Sequence, residues 1–199
     1  MSEFVRKLLL GASLACVVLL GACSQKVEFR NVDITGASFA KDFSLTDAAG
    51  RKRTLADYRG KAVAIFFGYT QCPDVCPTTM FEMSEVMKRL GGDADKVQVL
   101  FVTIDPERDT PTLLGQYVPA FDPRFVGLTG TPDDVAKVAQ DFKVFYRKVP
   151  GTVDPKFYTM DHFAGMYLFD PQGRVRVLVQ YGQKPDAITA DLKTLLKAG

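Results

Sequence analysis

The sequence predicts an α/β fold, and three observations carry that reading. Ala62-Val63-Ala64-Ile65-Phe66-Phe67 is an uninterrupted apolar run without the polar alternation of a half-exposed strand, so both of its faces are buried. A second such run, Val97 to Ile104, follows an amphipathic stretch, which gives strand, helix and strand in that order. From Phe142 the pattern changes to strand, tight turn, strand and a closing amphipathic helix.

In chain order, residues Met1 to Ala22 have a charged start at Arg6 and Lys7, an apolar run from Leu8 to Leu20 and small residues before Cys23. That is the build of a secretory signal, shorter than the roughly 20 residues of a membrane span. The tetrad Leu20-Gly21-Ala22-Cys23 resembles the lipobox of bacterial lipoproteins, whose cysteine is lipidated and becomes the new N-terminus. An uncleaved anchor is the other reading, and Cys16 within the run reads as a small hydrophobe. Either way the domain is expected beside a membrane, held there by a lipid anchor in the lipobox reading, on the periplasmic or extracytoplasmic side, where thiols meet oxidants. We read 1–22 as a lipoprotein signal peptide, 23–37 as a polar tether beginning at the lipidation site Cys23, and 38–199 as one domain. At 199 residues the chain is long enough to bury a substantial core. Its 25 basic side chains against 23 acidic ones, with no basic block, give no field that argues for nucleic acid.

Phe39 to Thr54 alternates around Asp47-Ala48-Ala49-Gly50, which predicts an N-terminal β-hairpin covering one end of the sheet. The buried strand from Ala62 runs straight into Gly68-Tyr69-Thr70-Gln71-Cys72-Pro73-Asp74-Val75-Cys76-Pro77. After Pro77, Met80, Met83, Val86, Met87 and Leu90 recur at helical spacing up to Gly91-Gly92. The cysteines therefore sit on a strand-to-helix turn, with Pro77 in the first helical turn, where its missing N–H costs nothing. Val97 to Ile104 is the next strand, and Thr110-Pro111 opens a helix through roughly Pro119. Phe125 to Leu128 reads as a short strand, and Thr131-Pro132-Asp133-Asp134 opens another helix with capping residues and first-turn carboxylates. Phe142 to Val149 and Phe163 to Phe169 read as strands, Asp170-Pro171-Gln172-Gly173 as a tight turn, Arg174 to Tyr181 as the returning arm, and Pro185 to Lys197 as the last helix. A β-α-β unit with cysteines at its first turn, followed by a β-β-α unit, is the order of a thioredoxin-like fold, a central mixed sheet flanked by helices.

Cys72 and Cys76 on such a turn present both sulfurs to one face. The helix N-terminus favours their thiolates through its free N–H groups and partial positive charge. Three chemistries fit: a redox dithiol, a pair of soft metal ligands, or a structural disulfide. The last is the weakest, since structural disulfides gain more by closing longer loops. The one histidine, His162, precedes the final hairpin and in this layout lies beside the cysteine turn. A lone histidine is more often structural than a ligand. Here it would complete a set of two thiolates and one imidazole, which suits copper, whereas zinc usually asks for a fourth ligand.

Three motifs then occur in order: Cys-Pro-Asp-Val-Cys-Pro at 72–77, Ile104-Asp105-Pro106-Glu107-Arg108-Asp109-Thr110-Pro111, and Asp161-His162 leading to Tyr167-Leu168-Phe169-Asp170-Pro171-Gln172-Gly173. Together, over the stretch from Phe39 to Leu196, they resemble the SCO/SenC family of copper-binding assembly proteins. The resemblance implies one copper ion, Cu(I) or Cu(II), held by Cys72, Cys76 and His162. It implies a metallochaperone more than an enzyme, serving the dinuclear copper centre of cytochrome c oxidase subunit II and supplied by a periplasmic copper donor. Asp161 and Asp74 are expected to support the ligands from behind, and His162, taken to lie on a loop, to detach first.

The main rival is a thiol-disulfide reductase using Cys72 and Cys76 to keep a target's cysteines reduced. Against a general thioredoxin, the spacing has three intervening residues and no proline directly precedes Phe163. Val75-Cys76-Pro77-Thr78 resembles the peroxiredoxin turn, but Pro73 stands where those enzymes place a threonine or serine. A non-catalytic scaffold leaves the triad unexplained. Met80, Met83 and Met87 read as core, Met160 is open between ligand and packing, and Tyr69 and Phe163 between screening the metal and packing. Asp105 to Asp109 reads equally as a capped turn with surface ion pairs or as a docking element.

Overall fold

The computed structural model describes residues 27–152 and 157–198; the expected signal segment 1–22 and the lipidation site Cys23 lie outside the described residues. The chain begins its sheet with β1 (Val32–Asp33), within the segment expected as a tether. Asp191 holds this entry in place: its carboxylate accepts from the backbone N–H of Arg30 at 2.6 Å and of Asn31 at 2.9 Å. The expected hairpin follows as β2 (Leu45–Asp47) and β3 (Lys52–Arg53). Buried Asp47 builds its turn, accepting from Ala49 and Arg51 N–H and pairing with Arg51 and Arg53.

β4 (Ala62–Gly68) is buried at every position, as its apolar run requires. It feeds α1 (Val75–Leu90), which lays Met80, Met83, Val86, Met87 and Leu90 on the sheet. Each such side chain contributes on the order of 2 kcal/mol on burial. The helix stops at Gly91, whose φ of +56° is a conformation that favours glycine. β5 (Val97–Thr103) is buried throughout. α2 (Pro111–Tyr117) starts where Thr110 accepts from the Leu113 N–H, and β6 (Val126–Thr129) follows. α3 (Pro132–Asp141) carries the capping box of Thr131 and Asp134 that its sequence predicts.

The region after Phe142 departs from expectation. The strand expected from Phe142 begins only at Tyr146, as β7 (Tyr146–Pro150), while Phe142 caps α3 and is fully buried. A strand absent from the sequence reading, β8 (Tyr158–His162), pairs with β7 as a separate two-stranded ribbon. His162 is thus the last residue of a strand, not part of a loop. The strand expected from Phe163 is β9 (Met166–Phe169), which starts three residues later; β10 (Val175–Val179) and α4 (Pro185–Lys197) lie where the sequence places them.

The main sheet has the order β1-β10-β9-β4-β5-β6-β2-β3. β4, β5 and β6 are parallel, β9 is antiparallel to β4, and β2 is antiparallel to β6. This is the mixed sheet of the expected thioredoxin-like fold, with β4 central and its carboxyl end open to the cysteine turn. Among the described residues no helix is long and apolar enough to cross a membrane.

Candidate metal centre

The site forms where β4 ends and α1 begins, the edge at which parallel strands of α/β folds present their ligands. Cys76 is in the first turn of α1 and completely buried, whereas Cys72, on the preceding turn, is half-buried. Both are free thiols. The Cys76 N–H donates to Cys72 Sγ at 3.4 Å, so the helix N-terminus meets the outer sulfur directly. β4 makes room for the inner one: a Cβ on Gly68 would stand 2.8 Å from Cys76 Sγ.

The ribbon brings the third ligand. His162, paired with Tyr146 across β7 and β8, places Nε2 3.7 Å from Cys76 Sγ. Its Nδ1 lies 2.8 Å from the Phe163 carbonyl, which can only accept, so Nδ1 carries a proton there and Nε2 is the ring nitrogen that faces the sulfurs. The rings of Tyr69 and Phe66 meet the imidazole edge-on, with centroids 5.9 Å and 6.3 Å away. Cys72 Sγ, Cys76 Sγ and the His162 nitrogen all lie within 4.8 Å of one another, close enough for a single ion.

The two sulfurs titrate as a pair. A hydrogen bond from Cys76 is the main cause that holds the Cys72 thiol far below its ordinary range; burial opposes it, and His162 with the Asp74 and Cys76 N–H groups adds to it. The same bond to Cys72, then burial, pushes Cys76 up. The metal-free site therefore holds an outer thiolate over an inner thiol.

The remaining predicted residues fall out as follows. Asp74 is exposed at the start of α1, and it touches the site through its N–H to Cys72, not through its carboxylate. Asp161 pairs with Arg147 at 2.8 Å, and the hydrogen-bond partner of the His162 Nδ1 is the Phe163 carbonyl, not the Asp161 carboxylate. Met80, Met83 and Met87 are core. Met160 is buried on the ribbon, its N–H donating to the Tyr69 hydroxyl at 3.2 Å. Tyr69 is buried against His162, and Phe163 stacks on Tyr167 at 5.8 Å.

Asp105 and Asp109 are not surface ion-pair residues: each is 1% exposed. Asp109 props the cysteine turn, accepting from the Thr70 N–H at 3.1 Å, the Thr70 hydroxyl at 2.6 Å and the Thr103 hydroxyl at 2.7 Å. Burial pushes its carboxyl up against those bonds. The sequence carried one sign of this role, the position of the motif just after the carboxyl end of a parallel strand. Beside the sulfurs a cleft of about 340 Å³ opens between Tyr69, Cys72, Asp74, Met160, His162 and Ala164.

Fold and site together define a thioredoxin-like domain with a two-thiol, one-imidazole centre able to hold one metal ion. The SCO1/SenC family model matches residues 32–197, and the chain belongs to that family. It is 37% identical to the mitochondrial SCO2 homolog of Bos taurus over 159 residues, 79% of this chain but 59% of the bovine protein. Among solved structures, copper-bound ScoI of Bradyrhizobium japonicum shares 47% identity over 76% of this chain and 96% of its own, with a TM-score of 0.70. The apo Sco1 of Thermus thermophilus, 36% identical, matches 86% of this chain and 99% of its own with a TM-score of 0.75.

Proposed function

We propose that the protein binds one copper ion through Cys72, Cys76 and His162 and acts as a copper metallochaperone in cytochrome c oxidase assembly, passing the metal to the dinuclear centre of subunit II. The observation that carries this reading is the convergence of three ligand atoms within 4.8 Å in a chain of this family. The donor set supports it on chemical grounds, because thiolates select Cu(I) and an imidazole also suits Cu(II). The similar Bradyrhizobium ScoI was solved with copper bound.

Transfer is a ligand exchange in which each incoming thiolate replaces one outgoing donor, so the ion stays coordinated and no electron moves. Burial sets the order. Half-buried His162 and Cys72 border the open cleft and leave first, and fully buried Cys76 leaves last.

The membrane location belongs to the same proposal. Lipidated Cys23 would hold the domain at the bilayer, and β1 bears on how it is presented. β1 is antiparallel to β10, which runs parallel to β4, so the chain enters β1 from the end of the sheet that carries the metal centre.

A second reading, reduction of a partner's disulfide, is favoured by the outer thiolate of Cys72 above a protonated Cys76. One experiment separates the two: anaerobic copper loading of the reduced protein, then mixing with the apo copper domain of subunit II. One copper bound and transferred supports the chaperone. Absence of binding, with rapid reduction of the partner's disulfide, overturns it in favour of the reductase.

A further inference from the structure

The ribbon that delivers His162 forms a sheet of its own, and two strands alone are marginally stable in water. Its position therefore depends on attachments to the rest of the domain: the Met160 N–H bond to the Tyr69 hydroxyl, the ring contacts of Tyr69 and Phe66 with His162, and a set of bonds centred on Arg108. One guanidinium nitrogen, Nη1, donates to the Tyr158 carbonyl at 2.9 Å and to Gln71 Oε1 at 3.1 Å. Gln71 immediately precedes Cys72, and Tyr158 is the first residue of β8. The guanidinium lies 3.6 Å over the Tyr158 ring and 5.7 Å from that of Tyr69. Its Nε pairs with buried Asp105, whose other oxygen accepts from the Tyr158 hydroxyl at 2.8 Å. Among the described residues one further charged pair ties the ribbon to the segment around Arg108, Lys148 with Glu107, and both of its members are exposed and so contribute little.

We propose that Arg108 is a positioning residue for the third ligand: it clamps the cysteine turn to the start of β8 and thereby sets how close His162 Nε2 stands to the two sulfurs. A planar fork with donors on both sides and a face for stacking suits this work, and an ammonium group does not. The inference rests on the reading of Cys72, Cys76 and His162 as copper ligands, but its first test needs no metal.

In the metal-free reduced protein, Arg108→Ala should lower hydrogen-exchange protection of the Met160 and Phe163 amides by about tenfold or more, with the β4 and β5 amides unchanged. In the loaded protein it should weaken Cu(II) by roughly 10- to 100-fold, the range for losing an orienting partner, and leave Cu(I) within about threefold because both thiolates remain. Equal loss of protection in β4 and β5 would show a general stability role and overturn the proposal. So would wild-type exchange and wild-type Cu(II) binding in the variant. Should Arg108→Ala fail to fold, Arg108→Lys keeps the charge without the fork, and the same outcomes decide. A wild-type protein that bound no copper would sink the copper reading, and the exchange measurement would still decide this one.

Discussion

Cys76 Sγ and His162 Nε2 stand 3.7 Å apart although 86 positions separate them in the chain. The first turn of α1 places one and the last pair of the β7–β8 ribbon places the other. A sulfur fixed in the core thus faces a nitrogen carried by a peripheral element, and the two can be perturbed independently.

His162→Ala should separate the two oxidation states of copper. Both thiolates remain, so Cu(I) binding persists, while Cu(II) loses its nitrogen donor and weakens by more than about 100-fold, beyond the loss typical of an outer-shell partner. Competition titrations and the electron paramagnetic spectrum of the Cu(II) form check this. An unchanged spectrum and affinity would remove His162 from the ligand set.

Cys72 should alkylate ahead of Cys76 and without the pH dependence of an ordinary thiol. Its thiol is held below the usual range by Cys76, so it is already ionised at neutral pH, and raising the pH adds no further thiolate. An ordinary thiol near 8.5 would react faster with each step from pH 7 to about 8.5. Mass spectrometry of the metal-free protein after brief iodoacetamide exposure reads both sites. A Cys72 rate that climbed tenfold per pH unit over that window would contradict the arrangement.

How far the sequence revealed this site follows from which forces place each part. β4, β5, α1 and α4 are legible because their apolar patterns state which faces are buried, and the cysteine turn inherits its place from β4 and α1. β8 is not legible. Of Tyr158-Thr159-Met160-Asp161-His162 only Met160 is buried, so no alternation of apolar residues marks a strand. β1 is two exposed residues held by a distant Asp191, again without local pattern. Asp105 and Asp109 mislead in the other direction, since aspartates are seldom buried without partners and the partners here, Arg108, Tyr158, Thr70 and Thr103, lie on other elements or in an irregular turn.

Gly68→Ala should damage the centre without touching a ligand. The new Cβ would meet Cys76 Sγ and Phe66 at 2.8 Å and Phe101 at 3.0 Å, all packed atoms with little room to yield. Overpacking of this kind costs about 1–3 kcal/mol. Urea unfolding should show that loss, and copper affinity should fall with it because the inner sulfur must move. Wild-type values for both would mean that β4 relaxes freely.

Asp170 should govern acid stability far from the metal. Its carboxylate is completely buried, accepts from the Gln172 and Arg174 N–H groups, and pairs with Arg174 at 2.7 Å and Arg176 at 3.0 Å. Burial pushes its carboxyl up, but the backbone bond from Arg174 and the two guanidinium groups outweigh this and leave it lowered. A lowered carboxyl binds fewer protons folded than unfolded, so its contribution is complete above the unfolded value near 4 and fades as pH falls through the folded one. Asp170→Asn should cost about 3 kcal/mol at pH 7, and the difference from wild type should shrink in acid. A constant difference between pH 7 and pH 3 would refute the ion-pair account.

The proposed lipid anchor can be tested by orientation as well as location. If Cys23 is lipidated, Cys23→Ser should move the protein from the membrane to the soluble fraction. Six residues then separate Cys23 from Arg30, a reach of about 25 Å at full extension. Arg30 is fixed by Asp191 at the end of the sheet where β4 delivers the cysteine turn. A tether this short, entering at that end, should keep the metal centre toward the bilayer. In nanodiscs containing a paramagnetic lipid, the amides of Thr70, Gln71 and Gly182 should therefore broaden more than those of Lys61, Lys96 and Arg174 at the opposite end. Asp191→Ala, which frees the entry segment, should reduce the contrast. Equal broadening at both ends of the wild-type sheet, with the protein still membrane-bound, would refute the orientation and leave the anchor intact. A Cys23→Ser protein that stayed on the membrane would refute the anchor itself.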